Sequence, residues 1–108
     1  MKLSELKTKL CARELYMPDP ERKADGGYCG DFLSFVMQRA PENSVWFTVM
    51  TNVNVAAVAS LTGVAAVVVC ESSKCDVQLV ERIKKTEVAL FETDLDIFGA
   101  VKAFLGVE

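Results

Sequence analysis

The residues whose types and spacing suit binding chemistry fall into short clusters along this 108-residue chain: Gly26-Gly27, Thr51-Asn52 with Asn54, Glu71-Ser72, and Thr93-Asp94. Hydroxyls, side-chain amides and carboxylates supply donors and acceptors for a small polar ligand. Paired glycines allow positive φ or a very close approach of the backbone to another group. Glycines spaced as Gly26, Gly27 and Gly30 could cradle a phosphate, but no Gly-Lys-Ser/Thr follows, so the phosphate-loop motif is not met. Turn glycines are the plainer reading. Asp25, Asp31, Glu71 and Asp94 could hold magnesium and a phosphate ester, although no spacing among them demands it.

Catalysis finds little support. Histidine is absent, which removes the commonest general base, the commonest metal ligand and every Ser-His or Cys-His pair. No catalytic residue and no cofactor are expected. The cysteines, Cys11, Cys29, Cys70 and Cys75, include no Cys-x-x-Cys pair. A zinc or iron-sulfur site would need all four to converge. Free thiols in a reducing compartment, with no metal bound, are the simpler expectation.

The elements that must position these clusters are organised around residues 43–70, 28 consecutive residues without a charged side chain. Val45-Trp46-Phe47-Thr48-Val49-Met50 reads as a strand, Val55 to Leu61 as a short helix capped by Thr51, Asn52 or Asn54, and Val64 to Cys70 as a second strand. The unbroken apolar character of the second strand suits a sheet covered on both faces. A membrane-spanning helix needs about 20 apolar residues, and Asn52, Asn54 and Gly63 interrupt this stretch. A βαβ unit is therefore expected, with no membrane association.

On either side, the pattern continues. Leu3, Leu6 and Leu10 predict an amphipathic opening helix, and Cys11 to Tyr16 a short strand. Pro18 and Pro20 then punctuate the chain. Asp31 is placed to cap a helix whose apolar side is Phe32, Phe35 and Val36. Ser73 with Asp76 resembles a capping box before a helix faced by Val77, Val80 and Ile83; Val88 to Phe91 reads as a third buried strand. Thr93 with Asp96 repeats the capping pattern before a last helix with Ile97, Val101, Phe104 and Leu105 inward. Alternating strands and helices predict an α/β fold of three layers, a mainly parallel sheet with helices on both faces. Ligands of such sheets lie beyond the strand carboxyl ends, which here carry Thr51-Asn52, Glu71-Ser72 and Thr93-Asp94.

The bulk composition bounds the remaining classes. A single domain, 1–108, is expected, and 51% hydrophobic residues argue against disorder. A net charge of −3 supplies no electrostatic footprint for nucleic acid. The start of the chain lacks the long apolar core of a signal peptide, so the cytoplasm is the expected compartment.

Glu21 to Met37, Thr51 to Leu61 and Phe91 to Phe104 together resemble a DRTGG domain, the small α/β module found within certain pyrophosphatases and as short stand-alone proteins of anaerobes. Gly26-Gly27-Tyr28 stands where the family's Gly-Gly sits, with Arg22 upstream. Asp25 departs from the pattern, since threonine usually precedes the glycines, and a negative charge there weakens an anion-binding role for the turn. The resemblance implies a fold akin to the N-terminal domain of HPr kinase, association in pairs, and a regulatory or ligand-sensing role without established catalysis. The expected function is thus a non-catalytic regulatory or scaffold domain, homodimeric, with a protein partner or a small nucleotide-like ligand at Gly26, Gly27, Thr51, Asn52, Asn54, Glu71, Thr93 and Asp94. The alternative is a redox or metal accessory protein associated with hydrogenase or iron-sulfur systems of anaerobes.

Overall fold

The computed structural model describes residues 1–107. A 3-10 turn over Leu3–Glu5 runs into helix α1, Leu6–Lys9, and strand β1, Ala12–Tyr16. Strand β2 spans Gly27–Cys29, helix α2 Leu33–Arg39, strand β3 Val45–Thr48, helix α3 Asn54–Thr62 and strand β4 Ala66–Val69. Helix α4, Val77–Ile83, strand β5, Ala89–Thr93, and helix α5, Ile97–Leu105, complete the chain. The sheet has the order β1-β5-β4-β3-β2. β2 to β5 are mutually parallel, and β1 lies antiparallel along β5.

The expected three-layer α/β architecture is what forms. From β2 to β5 each strand is placed beside its predecessor and always on the same side. Crossovers of one hand that step in one direction deliver their helices to one face. Accordingly Val36 of α2, Val55 and Ala59 of α3, and Leu79 and Ile83 of α4 share a core with Trp46, Val67 and Leu90. The opposite face of the sheet, with Val45, Phe47, Val68 and Phe91, is covered by Leu3, Leu6 and Leu10 and by Ala100 and Phe104 of α5. β3 and β4 are buried along their whole length, the physical reason for their uncharged sequence. Gly63 ends α3 at φ +75°, a left-handed conformation that glycine adopts at little cost.

Three local expectations are corrected. Tyr28 and its neighbours form an edge strand where the sequence suggests only a turn, and a Cβ at Gly27 would lie close, 3.3 Å from both the Phe47 ring and Val45 O. The inward face of α4 is set by Leu79 and Ile83, while Val77 is exposed. Phe32 and Phe35 of α2 and Leu105 of α5 also point outward instead of joining the core. No helix among the described residues is long and apolar enough to cross a membrane.

Candidate functional site

Strand register decides which predicted residues meet. Thr48 pairs with Val69, and Val69 with Glu92, so the carboxyl ends of β3, β4 and β5 stand in a row. Thr51 and Asn52, then Asn54 at the start of α3, Glu71, Thr93 and Asp94 are thereby gathered at one end of the sheet. Gly26 and Gly27 are not. Gly27 opens β2 opposite Val45, the first residue of β3, roughly 10 Å away along the strands at about 3.3 Å per residue. These glycines precede a strand instead of following one, which puts them at its amino end.

At the carboxyl end, β4 leads to α4 on one face while β5 leads to α5 on the other. Diverging connections of this kind open a crevice in parallel sheets. Here backbone bonds bridge it: the Glu71 amide donates to Leu95 O at 2.8 Å and the Ser72 amide to Thr93 O at 3.2 Å. Those bonds hold Glu71 and Ser72 at φ +64° and +60°, a conformation uncommon for residues other than glycine and concentrated at functional turns. The Ser72 hydroxyl donates to Asp94 Oδ1 at 2.9 Å. Asn52 Oδ1 accepts from the Asn54 amide at 2.9 Å, a bond within the turn that enters α3. The Thr93 hydroxyl is fully buried and donates to Leu10 O at 2.7 Å, an internal tie across the sheet edge. Asp76 and Asp96 occupy the cap positions of α4 and α5, and Asp96 accepts from the Gly99 amide at 2.6 Å. Neither Ser73 nor Thr93 supplies the capping side chain.

One residue at this end, read from the sequence as a helix cap or a magnesium-binding carboxylate, serves instead as a tie between strands. Asp31, just past β2, accepts from the Thr48 hydroxyl at 2.6 Å and the Val49 amide at 2.9 Å, tying β2 to the end of β3. Its signal lay in the Tyr28-Cys29-Gly30-Asp31 order, a short strand followed by a polar residue. With Glu71, Asp76, Asp94 and Asp96 it makes the carboxyl end an acidic rim of exposed side chains. Arg13 is already engaged there with Glu92 and Asp94.

Arg22, upstream of the glycines, serves the amino end. Its Nη1 donates to Glu87 O at 3.0 Å, and its Nη2 to Asn43 Oδ1 at 2.9 Å and Gly63 O at 3.2 Å. One guanidinium thus fastens the N-terminal segment to the loops that start β3, β4 and β5, which its fork of donors suits. Arg22→Ala is expected to cost about 1.5 kcal/mol, since bonds from a charged donor contribute roughly 1.5–3 kcal/mol each and this site is half-exposed. Arg22→Lys should recover only part of the loss. Urea unfolding of the three proteins checks this, and an unchanged Arg22→Ala midpoint would refute the clamp.

The thiols do not converge. Cys70 packs in the core on the α5 side, Cys75 against the opposite core, and Cys11 and Cys29 are exposed. Among the described residues no group of three His, Cys, Asp or Glu side chains is placed to hold a metal ion. Burial, then the negative charge of Glu92, pushes the Cys75 thiol up to about 12; burial, reinforced by nearby charges, does the same to Cys70. Burial also raises Cys29, with Asp31 adding to the effect. Thiolates are the reactive form, so alkylation at pH 8 should leave Cys70 and Cys75 unmodified until the protein is unfolded, as peptide mass mapping can show. A thiol raised on folding stabilises the fold below the ordinary value near 9, and that contribution is lost as pH climbs towards 12. Thermal stability should accordingly fall above pH 9, and labelling of Cys70 in the folded state would contradict both statements.

No family model matches this chain, and no curated protein matches it. Among solved structures it is similar to the CBS and DRTGG domains of the regulatory region of a Clostridium perfringens pyrophosphatase, complexed with the activator diadenosine tetraphosphate. The TM-score is 0.78 at 14% sequence identity, over 96% of this chain and 46% of that one. The chain therefore spans about half the length of its structural neighbour. What the likeness establishes is the fold, a DRTGG-like five-stranded α/β domain.

Proposed function

We propose that the chain is a non-catalytic, cytoplasmic regulatory or scaffold domain that works as a homodimer, through a protein partner or a small nucleotide-like ligand at its strand carboxyl ends. The observation that carries this reading is the superposition of nearly the whole chain on part of a regulatory region complexed with a nucleotide activator. Phe98, Leu105 and Val107, exposed together along one concavity at α5, support association, because contiguous apolar patches on small domains mark interfaces. The acidic rim sets a condition on the ligand. A polyphosphate would meet Glu71, Asp94 and their neighbours with like charge, so it binds with a divalent cation that bridges the two.

Native mass spectrometry of anaerobically purified protein, alone and with diadenosine tetraphosphate in the presence or absence of magnesium, tests both halves. A dimer that gains nucleotide mass only with magnesium is expected. A single-chain mass at every concentration, with no adduct, would overturn the proposal.

A further inference from the structure

α3 and α4 pack side by side on one face of the sheet, each running back from the strand carboxyl ends towards the amino ends. Near their C-termini they leave an open cleft of about 320 Å³. Ala57, Ser60 and Leu61, spaced to share one side of α3, form one wall above the buried Ala56. Arg82 and Lys85, three residues apart at and just past the end of α4, form the other. No carboxylate among the described residues lines the cleft.

Two cations on one cleft without an acidic partner stand apart from the other arginines of the chain. Arg13 pairs with Glu92 and Asp94, Arg22 donates to Asn43, Gly63 and Glu87, and Arg39 lies 4.3 Å over the Phe35 ring. Among the described residues neither Arg82 nor Lys85 is in a salt bridge. The facing helix cannot supply one, because α3 lies wholly within the uncharged residues 43–70. Ser60 is exposed beside them, whereas the Thr86 hydroxyl at the edge of the cleft already donates to Ile83 O at 2.7 Å.

We infer that this cleft binds the phosphate group of a small phosphate ester. A guanidinium offers a planar fork of N–H donors matched to two phosphate oxygens, and an ammonium beside it adds a mobile point charge. The Ser60 hydroxyl supplies a further donor from the opposite wall. Ala57 and the exposed Leu61 give the organic part of the ester an apolar surface to cover. The volume, at the lower end of the roughly 300–1,000 Å³ of small-molecule sites, limits the ligand to a compact one.

Glu81 decides where the anion sits. A larger concavity of about 480 Å³ continues the groove towards Val53 and Gln78 and is also bordered by Arg82 and Lys85, but Glu81 lines it. Like charge excludes phosphate from that side, so the anion is held on the Ser60 side of the two cations. The site is separate from the one proposed at the strand carboxyl ends, and with no acidic rim to bridge it needs no divalent cation.

Cations near the end of a helix also complement its dipole. Lys84, which follows α4 directly and lines neither concavity, does this as well as Lys85 and serves as the internal control.

Amide chemical shifts of the isotopically labelled chain, titrated with phenyl phosphate or inorganic phosphate in the presence of a chelator, test the site. Phenyl phosphate should shift Ser60, Leu61, Arg82 and Lys85 with a dissociation constant of about 1 mM, weak because both cations stand in solvent. Inorganic phosphate should move the same residues at least fivefold more weakly. Arg82→Gln and Lys85→Gln should each weaken phenyl phosphate at least fivefold, and Lys84→Gln less than twofold. Ala57→Glu places a carboxylate opposite both cations and should abolish binding. All four positions are exposed, so the urea midpoints should stay near the wild-type value. Equal weakening by Lys84→Gln and Lys85→Gln would reduce the cleft to a diffuse positive surface and overturn the site, as would the absence of shifts at these residues. Equal affinity for the two compounds would overturn the ester and leave an inorganic anion as the ligand. Binding seen only with magnesium, at Glu71 and Asp94, would support the carboxyl-end ligand and overturn this one.

Discussion

Trp46→Ala is expected to lower the unfolding free energy by about 4 kcal/mol, within the 3–5 kcal/mol typical of emptying a buried large aromatic site. That is a large share of the roughly 5–15 kcal/mol that holds a small domain folded. Trp46 has no exposed surface and sits in β3 beneath α2 and α3, against Val36, Val55 and Val67. Its Nε1 also donates to Gly30 O at 2.9 Å. Trp46→Phe separates the two contributions, because it keeps most of the volume and orphans the Gly30 carbonyl, for a loss of about 1–2 kcal/mol. Gly30 joins β2 to the turn before α2, so the phenylalanine variant should also loosen that turn while remaining folded. Trp46 is the chain's only tryptophan, so far-UV circular dichroism in urea is the appropriate probe. A Trp46→Ala midpoint close to the wild-type value would refute the placement.

The second large effect concerns the acidic end. Arg13→Ala should cost about 2.5 kcal/mol, because it strands a carboxylate. Glu92 has a side chain only 8% exposed; its Oε1 lies 3.2 Å from the Arg13 guanidinium, and its Oε2 accepts from the Cys75 amide at 2.7 Å. Removing one partner of a buried pair costs roughly 3–5 kcal/mol. The 44% exposure of Arg13 lets water screen the site and lowers that figure. Adding Glu92→Gln to Arg13→Ala removes the stranded charge while leaving an oxygen for the Cys75 amide, and should recover about half the loss. A double variant less stable than Arg13→Ala would refute this account.

The legible parts of this chain are those whose pattern is set by burial. Residues 43–70 read as strand, helix and strand because a parallel strand covered on both faces excludes charge along its whole length, as in the buried Ala66–Val69. The amphipathic start was legible for a related reason: Leu3, Leu6 and Leu10 all point into one core. β2 was not legible, since three residues carry no period and the close approach of the Phe47 ring to Gly27 comes from a distant strand. Asp31 had the type and position of a helix cap, and nothing in its neighbourhood along the chain announced Thr48 as its partner.

The alternation of strand and helix from β3 onward, the parallel character of the sheet and the absence of histidine follow from the amino-acid sequence by itself, because apolar periodicity and residue type are local properties. Tertiary structure alone decided that Gly26 and Gly27 lie at the end of the sheet away from Thr51, Glu71 and Asp94. It also committed the Thr93 hydroxyl to Leu10, 83 residues away, and left Phe32, Phe35 and Leu105 in solvent. Which end of a strand a residue occupies, and which side chains find partners, depends on strand register and on contacts between distant segments, which no local pattern encodes.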